Sequence, residues 1–399
     1  MLVTGIIAEF NPFHRGHALP IQAARAEMGE DGAVVCVMSG NCVQRGDIAI
    51  FHKTARAEAA ICAGADLVVE LPLPYVLGSA ERFAMGGIAI LAAVGAERTY
   101  LAFGCETPDT EALIATARTL DSPEVQAKIK AGMGAGLSYG AACQAACDTP
   151  LLQTPNDLLG IAYIRAIHRL GVDIKPLPVK RLGVAHDSDV PADGYASATY
   201  IRKLLQGGGD FATSRSSPWP FLPATAADIF ARELAEGRGP ASLERLEDTV
   251  LALLRLRETP VTGYLDDSEG LSNRIIGAAA GVGSFAELLE EVKTKRYHLS
   301  RIRRLILGMC LGLTPSHRPE VPPYIRVLAA NQVGQSLLRQ MSKTGGLPVI
   351  TRAAEANKLG AVAAEIMQKE AAVTDLQALC FSGEARKGGS EWRTTPHIV

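Results

Sequence analysis

Net charge is almost missing from this 399-residue sequence: 40 Lys and Arg face 42 Asp and Glu, for a formal charge of -2. That balance gives no overall attraction to nucleic acid or to a membrane surface, and leaves any such contact to a local patch. Also missing is an unbroken apolar stretch of the about 20 residues that a bilayer-spanning helix needs. The opening MLVTGIIAEF has no basic n-region, so neither a membrane anchor nor a signal peptide is expected, and the chain reads as cytoplasmic. No cysteine pattern stands out either. The eight cysteines are scattered through apolar segments, as free thiols in a reducing compartment would be. Cys143 and Cys147 lie one helical turn apart with no second pair and no nearby histidine, so no metal site is expected. Internal repeats and extended low-complexity tracts are absent as well.

What is present is a βαβ rhythm. Short apolar runs at 2–8, 33–38, 66–71 and 98–103 are bounded by Gly, Asp or Pro, as buried parallel strands are. Helical patterns fill 17–28, 54–64 and 78–93 between them, and NDLLGIAYIRAIHRL follows as a helix capped by Asn156, with IKPLPVKRL as a further strand. These predict an α/β fold, a Rossmann-like doubly wound parallel sheet, with a mostly α-helical C-terminal domain. Its boundaries are placed at 1–211 for a nucleotide-binding catalytic domain, 212–223 for a linker, and 224–399 for a helical domain. Short strand-like pieces occur at 324–329 and 347–351, and an exposed tail is expected at the end.

The first strand runs into EFNPFHRGHALP, residues 9–20. The carboxyl edge of a parallel sheet is where open α/β folds bind ligands. Pro20 is best tolerated near a helix start, so the next helix should begin near Gly16 or His17, placing His14 and His17 at its mouth. Free backbone N–H groups and the helix dipole favour a phosphate there, and Gly16 allows close approach. Two imidazoles at that point suit stabilisation of charge between an α-phosphate and a leaving pyrophosphate. The bland alternative is a pair of hydrogen-bonded loop histidines.

Other strand tips add candidates. MSGNCVQRGD offers Asn41, Gln44 and Arg45, or else a surface turn; Lys53 and Arg56 open the next helix, either for an anion or as exposed charges. Gly104 follows another strand, Asn156 is a cap before it is a ligand, and Arg181 ends the LPVKR strand. In SATYIRK, Ser197, Thr199, Arg202 and Lys203 form a second phosphate cradle, or simple capping. KTKRYHLSRIRRL carries Lys293, Lys295, Arg296, Arg301, Arg303 and Arg304 without an acid, which points to an RNA backbone rather than to a merely solvated helix face. RQMSKTGG, at 339–346, resembles the lysine loop of class I aminoacyl-tRNA synthetases but lies too far along the chain and is set aside.

HRGH with the later SATYIRK resembles the HxGH nucleotidyltransferase superfamily. GIIAEFNPFHRGH, VMSGNCVQRGD, DLVVELP, PNDLLGIAYIRAI, KRLGVAHDS, KRYHLSRIRRL and YIRVLAANQVGQSLL, in that order, resemble more narrowly the bacterial tRNA(Met) cytidine acetate ligase family. Phe10 stands where that family commonly has tyrosine. The resemblance implies ATP contacts from Ile7, Ala8, Glu9, Phe10, Asn11, Pro12, Phe13, His14, Arg15, Gly16, His17, Ala18, Leu19 and Pro20, and from Gly104, Asn156 and Arg181. It further implies ATP as substrate with Mg2+, acetate activated as acetyl-adenylate, and acetylation of the wobble cytidine of elongator tRNA(Met). Two rivals share parts of the pattern: a small-molecule adenylyltransferase of the HxGH class, and a non-catalytic RNA-binding protein on a relict nucleotide fold.

Overall fold

The computed structural model describes residues 1–29, 32–181, 190–192, 194–207, 217–257, 263–294, 297–344 and 346–399. Its strands are β1 (Leu2–Ala8), β2 (Gly32–Ser39), β3 (Cys42–Val43), β4 (Asp47–Ile48), β5 (Leu67–Leu71), β6 (Arg98–Cys105), β7 (Ile174–Lys180), β8 (Ile325–Ala330), β9 (Val349–Ile350) and β10 (His397–Ile398). The main sheet runs β10-β8-β5-β2-β1-β6-β7, with β9 beside β8, while β3 and β4 form a small hairpin of their own. Every pair in the main sheet is parallel except β5 with β8. The apolar run of β2 is buried along its whole length, as a strand covered on both faces must be.

The chain lays β2 and β5 on one side of β1, then crosses to place β6 and β7 on the other. The crevice at that reversal, beyond the carboxyl ends of β1 and β6, is where such sheets bind ligands. Helices α1 (Arg15–Met28), α3 (Ala80–Ala93), α4 (Pro155–Leu170), α5 (Ala198–Gln206) and α6 (Leu299–Leu311) line it, while α2 (Lys53–Cys62) and α7 (Ala361–Ala378) contribute no residue to its wall. Ile6 and Phe10 pack with Ile21 of α1 and Ile201 of α5 in one core, and Ile7 packs with Phe83 of α3 and Tyr163 of α4 in the other.

The second half is less separate than the pattern predicts. Its strand-like pieces become β8 and β9 and extend the first-half sheet, making it mixed rather than purely parallel. Asn331 fixes that junction: its N–H donates to Asp66 O at 3.0 Å and its Nδ2 to Asp66 Oδ1 at 2.8 Å. Ile302 and Leu305 of α6 share one core with Val3 and Val37 of the sheet. In the described part of the expected linker, Leu222 is buried in the other core.

The exposed tail is corrected. Glu391 is fully buried, 2.7 Å from Lys53 Nζ and paired with Arg326, and β10 runs beside β8. Lys53 and Arg326 are themselves buried, and two cations out of water need carboxylates to stay folded in. Glu70, 2.6 Å from Lys53 Nζ, supplies one and Glu391 the other. No helix among the described residues is long and apolar enough to cross a membrane.

Candidate active site

The motif EFNPF is a wedge that sets the histidines. Phe10 and Phe13 are buried edge to face with ring centres 4.9 Å apart, which roots the loop in the core. Phe10 takes a left-handed backbone, φ 47°, turning the chain over the tip of β1. Asn11 then ties the turn on two sides: its Oδ1 accepts from Ile50 N at 2.7 Å, and its carbonyl accepts from Arg202 Nη1 of α5 at 2.8 Å. Arg56 holds it from behind, fully buried, donating to the carbonyls of Glu9, Gly40 and Phe51. Burial pulls the Arg56 guanidinium down to about 10, with Glu9 and Glu70 opposing that shift. Lys53 and Arg56 therefore form internal struts, not the anion site or exposed charges expected of them.

α1 starts at Arg15, a residue ahead of the Pro20 expectation, because His14 is its N-cap. His14 Nδ1 accepts from Gly16 N at 3.0 Å, and His17 Nδ1 accepts from His14 N at 3.4 Å. The rings lie 3.8 Å apart, centre to centre, and both line a cleft of about 790 Å³. With Nδ1 accepting on each ring, the neutral tautomer carries its proton on Nε2, so each histidine is a donor from its other nitrogen. A side chain at residue 16 would collide with this cap, since a Cβ there would stand 2.8 Å from His14 Cε1.

The cleft gathers most of the expected residues. Ile7, Ala8, Glu9, Phe10, Asn11, His14, Gly16, His17, Leu19 and Pro20 line it, with Gly104, Asn156, Arg181, Thr199 and Arg202. Pro12, Phe13, Arg15 and Ala18 do not; Phe13 is core and Arg15 is exposed on the outer side of α1. Asn156 is not the cap of α4: that position is Thr154, and Asn156 Nδ2 donates instead to Glu106 Oε1 at 2.5 Å. Asp157 accepts from Glu106 N and Thr107 N at 2.8 and 3.0 Å, fixing the strand tip beside Gly104. A Cβ on Gly104 would stand 3.3 Å from Arg181 Cγ, so glycine lets that arginine cross the tip of β6. Burial lowers the Arg181 guanidinium, against Glu106.

The second cradle contributes half its members. Ser197 caps α5 by accepting from Tyr200 N at 3.0 Å, and Lys203 is exposed outside the cleft; Thr199 and Arg202 face in. The basic stretch divides too. Lys293 is exposed at the end of a short helix, Arg301 donates to Ser268 Oγ at 2.6 Å, and Lys295 and Arg296 lie outside the described residues. Arg303 lines the cleft, 3.0 Å from Asp47 Oδ2 and 2.7 Å from Glu244 Oε1. Arg304 donates to Gln44 O at 3.1 Å, and burial brings it down to about 10. Arg303 and Arg304 thus bind α6 to the β3–β4 hairpin instead of standing on an open face.

Lys180, Asp47, Glu244 and the apolar wall of Phe83, Phe103, Leu159 and Tyr163 escaped the reading of the sequence. Of these only Lys180 carried a signal, as the neighbour of Arg181 at a strand end. Among the described residues no three His, Cys, Asp or Glu side chains converge to hold a cation. Glu9, Asp47 and Glu244 in the cleft each have an oxygen engaged, by Gln44 N, Arg303 and Arg303 respectively. The described residues thus offer no cage of their own for the magnesium that the resemblance implies.

The sequence profile described as HIGH Nucleotidyl Transferase matches residues 1–391. The chain is 35% identical over 424 residues to the tRNA(Met) cytidine acetate ligase of Acetivibrio thermocellus, covering 100% of both. This chain belongs to the tRNA(Met) cytidine acetate ligase family. It is also 34% identical over 397 residues to the enzyme of that name from Caldanaerobacter subterraneus subsp. tengcongensis, covering 96% of this chain and 97% of the other. Among solved structures it is similar to apo Thermotoga maritima TmcAL, with a TM-score of 0.91 at 31% identity over 100% of each chain. A second crystal form of that protein, bound with alpha-thio ATP, gives 0.90 at the same identity and coverage.

Proposed function

We propose that the protein is an ATP-dependent ligase that activates acetate as acetyl-adenylate and then acetylates the wobble cytidine of elongator tRNA(Met) to N4-acetylcytidine. The observation that carries this reading is the convergence, at the reversal of strand order, of the HRGH helix mouth, the β6 and β7 tips and the inner face of α5 in one cleft. The ATP phosphates lie at the start of α1. His14 and His17 donate from Nε2 to the charge that builds as an acetate oxygen attacks the α-phosphorus, forming the anhydride bond while the bond to pyrophosphate breaks. Thr199 and Arg202 hold the phosphates from α5, and Gly104, Asn156 and Arg181 hold the nucleoside.

The amine of cytosine is a weak nucleophile, and the anhydride is a strong acyl donor. The second step therefore depends on alignment in the cleft more than on a strong base. In this reading residues 1–211 carry the nucleotide chemistry and residues 224–399 grip the RNA, with Lys293, Lys295, Arg296 and Arg301 as backbone contacts.

Purified protein given ATP, labelled acetate and an elongator tRNA(Met) transcript is expected to release pyrophosphate and make acid-precipitable label. Pyrophosphate release with nicotinamide mononucleotide or phosphopantetheine, but no label in RNA, overturns the reading in favour of a small-molecule adenylyltransferase. Binding of the transcript without pyrophosphate release from any acceptor overturns it in favour of a binding protein.

A further inference from the structure

The cleft extends past the nucleotide contacts, and its chemistry changes along the way. One part of the wall carries His14, His17, Lys180, Arg181 and Arg202 with Glu9 as its carboxylate. The rest comes from the β3–β4 hairpin, the segment at Glu244 and the first two turns of α6, where two carboxylates, Asp47 and Glu244, stand with Arg45 and Arg303. A triphosphate or acetate is favoured at the first part, where Lys180, Arg181 and Arg202 face one carboxylate, over the second, where the charges of Arg45 and Arg303 are matched by Asp47 and Glu244.

Arg303 organises this second part. Its Nε donates to Gly46 O at 3.2 Å, Nη2 lies 3.0 Å from Asp47 Oδ2, and Nη1 lies 2.7 Å from Glu244 Oε1. Its guanidinium carbon sits 5.4 Å from the ring centre of Phe285, which backs the fork. Asp47 is spent on the fold: its Oδ1 accepts from Ile48 N and Leu243 N, both at 2.8 Å, and its Oδ2 faces Arg303. Glu244 differs, because its side chain is 56% exposed on the cleft wall while Arg303 fixes its orientation. Burial acts to raise the Glu244 carboxyl, but Arg303 outweighs it and holds the group below the usual range. The result is an ionised, oriented hydrogen-bond acceptor that is a poor base.

Such a carboxylate accepts from an exocyclic amine and repels a carbonyl oxygen. Cytosine and uracil differ at that atom: cytosine presents an amine where uracil presents O4. We propose that Glu244, oriented by Arg303, receives the exocyclic amine of the acceptor cytosine and selects cytosine against uracil, making this part of the cleft the acceptor-base subsite. The proposal rests on the reading that the acceptor is the wobble cytidine.

The test is Glu244→Gln in the full-length protein, which keeps an oxygen for Arg303 but adds an amide donor. Three readouts are taken: acetate-dependent ATP–pyrophosphate exchange without RNA, kcat and KM for acetyl transfer to the transcript, and competition by a transcript whose wobble cytidine is replaced by uridine. Transfer is expected to fall at least tenfold relative to exchange, with most of the change in KM. The uridine transcript, a poor competitor of the wild type, is expected to compete with cytidine on nearly equal terms. Glu244→Asp, which keeps the charge, should restore the preference for cytidine. An unaltered cytidine-to-uridine ratio overturns the proposal, and so does a loss of exchange equal to the loss of transfer. A wild type that supports exchange but labels no RNA overturns the acceptor reading, and the subsite falls with it; that outcome is seen before any variant is made.

Discussion

His14 and His17 on one side, and Arg303 and Arg304 on the other, are both basic pairs that the sequence marks, and they are held in opposite ways. The histidines are fixed by their own neighbours, through bonds to Gly16 N and His14 N. The arginines are fixed by residues distant in the chain: Arg303 by Gly46, Asp47 and Glu244, and Arg304 by Gln44. Glu391 is the extreme of the second kind, closing on Lys53 from 338 positions away. A local device announces its use in a few letters. A long-range one shows only its charge, and the charge of Arg303 points to RNA when it is already spent on two carboxylates.

Variants at four positions break or sharpen that contrast. The largest expected effect is on the longest-range contact: Glu391→Ala leaves Lys53 and Arg326 buried with one carboxylate fewer, and should cost about 3–5 kcal/mol in urea unfolding. Its pH signature has a definite sign. Burial acts to raise the Glu391 carboxyl, but Lys53 and Arg326 overcome it and hold the group at about 2, from 4.5. A depressed carboxyl stabilises the fold fully above the unfolded value, and that stability is lost as the pH falls from 4.5 through about 2. Wild type should lose stability across that window more steeply than Glu391→Gln; equal slopes would remove the ion pair from the account.

Next is the local device. His17→Ala should cut pyrophosphate release by about 10²–10³-fold while transcript binding stays within a factor of two. Parallel loss of binding and release would mean that the histidine supports the fold, and the contrast would collapse. Arg303→Lys keeps the charge but loses the planar fork, so it should lower stability by about 1–3 kcal/mol and leave the salt dependence of tRNA binding as it was. A changed salt slope with unchanged stability would return Arg303 to the RNA surface. The smallest effect belongs to exposed Lys293: Lys293→Ala should leave melting unaltered and reduce the salt slope of binding by roughly 0.7–0.9.

The legible parts were those with a local cause. Strands β1, β2, β5 and β6 and helices α1 to α4 follow from apolar runs and periodicity, each within a few residues of its expected place. The place of the HRGH turn at the carboxyl end of β1 followed as well, because the motif comes directly after an apolar strand run; the strand order that makes that edge a switch point did not. The reach of the second half into the sheet was not legible. IRVLAA reads equally as a strand of a separate unit, and nothing local says that it pairs antiparallel to β5 and presents Arg326 to Glu391. At the site, the strand-tip glycine and arginine were readable because they sit at a sheet edge. Ser197 and Lys203 lie off the cleft that Thr199 and Arg202 line, because a helix offers inward and outward positions alike and only packing decides between them.

The burial of Glu391 also bears on the order in which the molecule can be completed. Synthesis lays down β1, β2, α2 and β5 early, so Lys53 meets Glu70 long before Arg326 or Glu391 exists. Until residue 391 has left the ribosome, the floor beneath Gly40, and with it the carbonyl that Arg56 grips, lacks part of its charge compensation. A nascent chain arrested before residue 391 should therefore remain protease-sensitive around α2 even with its parallel strands in place. The cleft wall that Arg56 braces through Glu9 would then be fully supported only after residue 391 is in place.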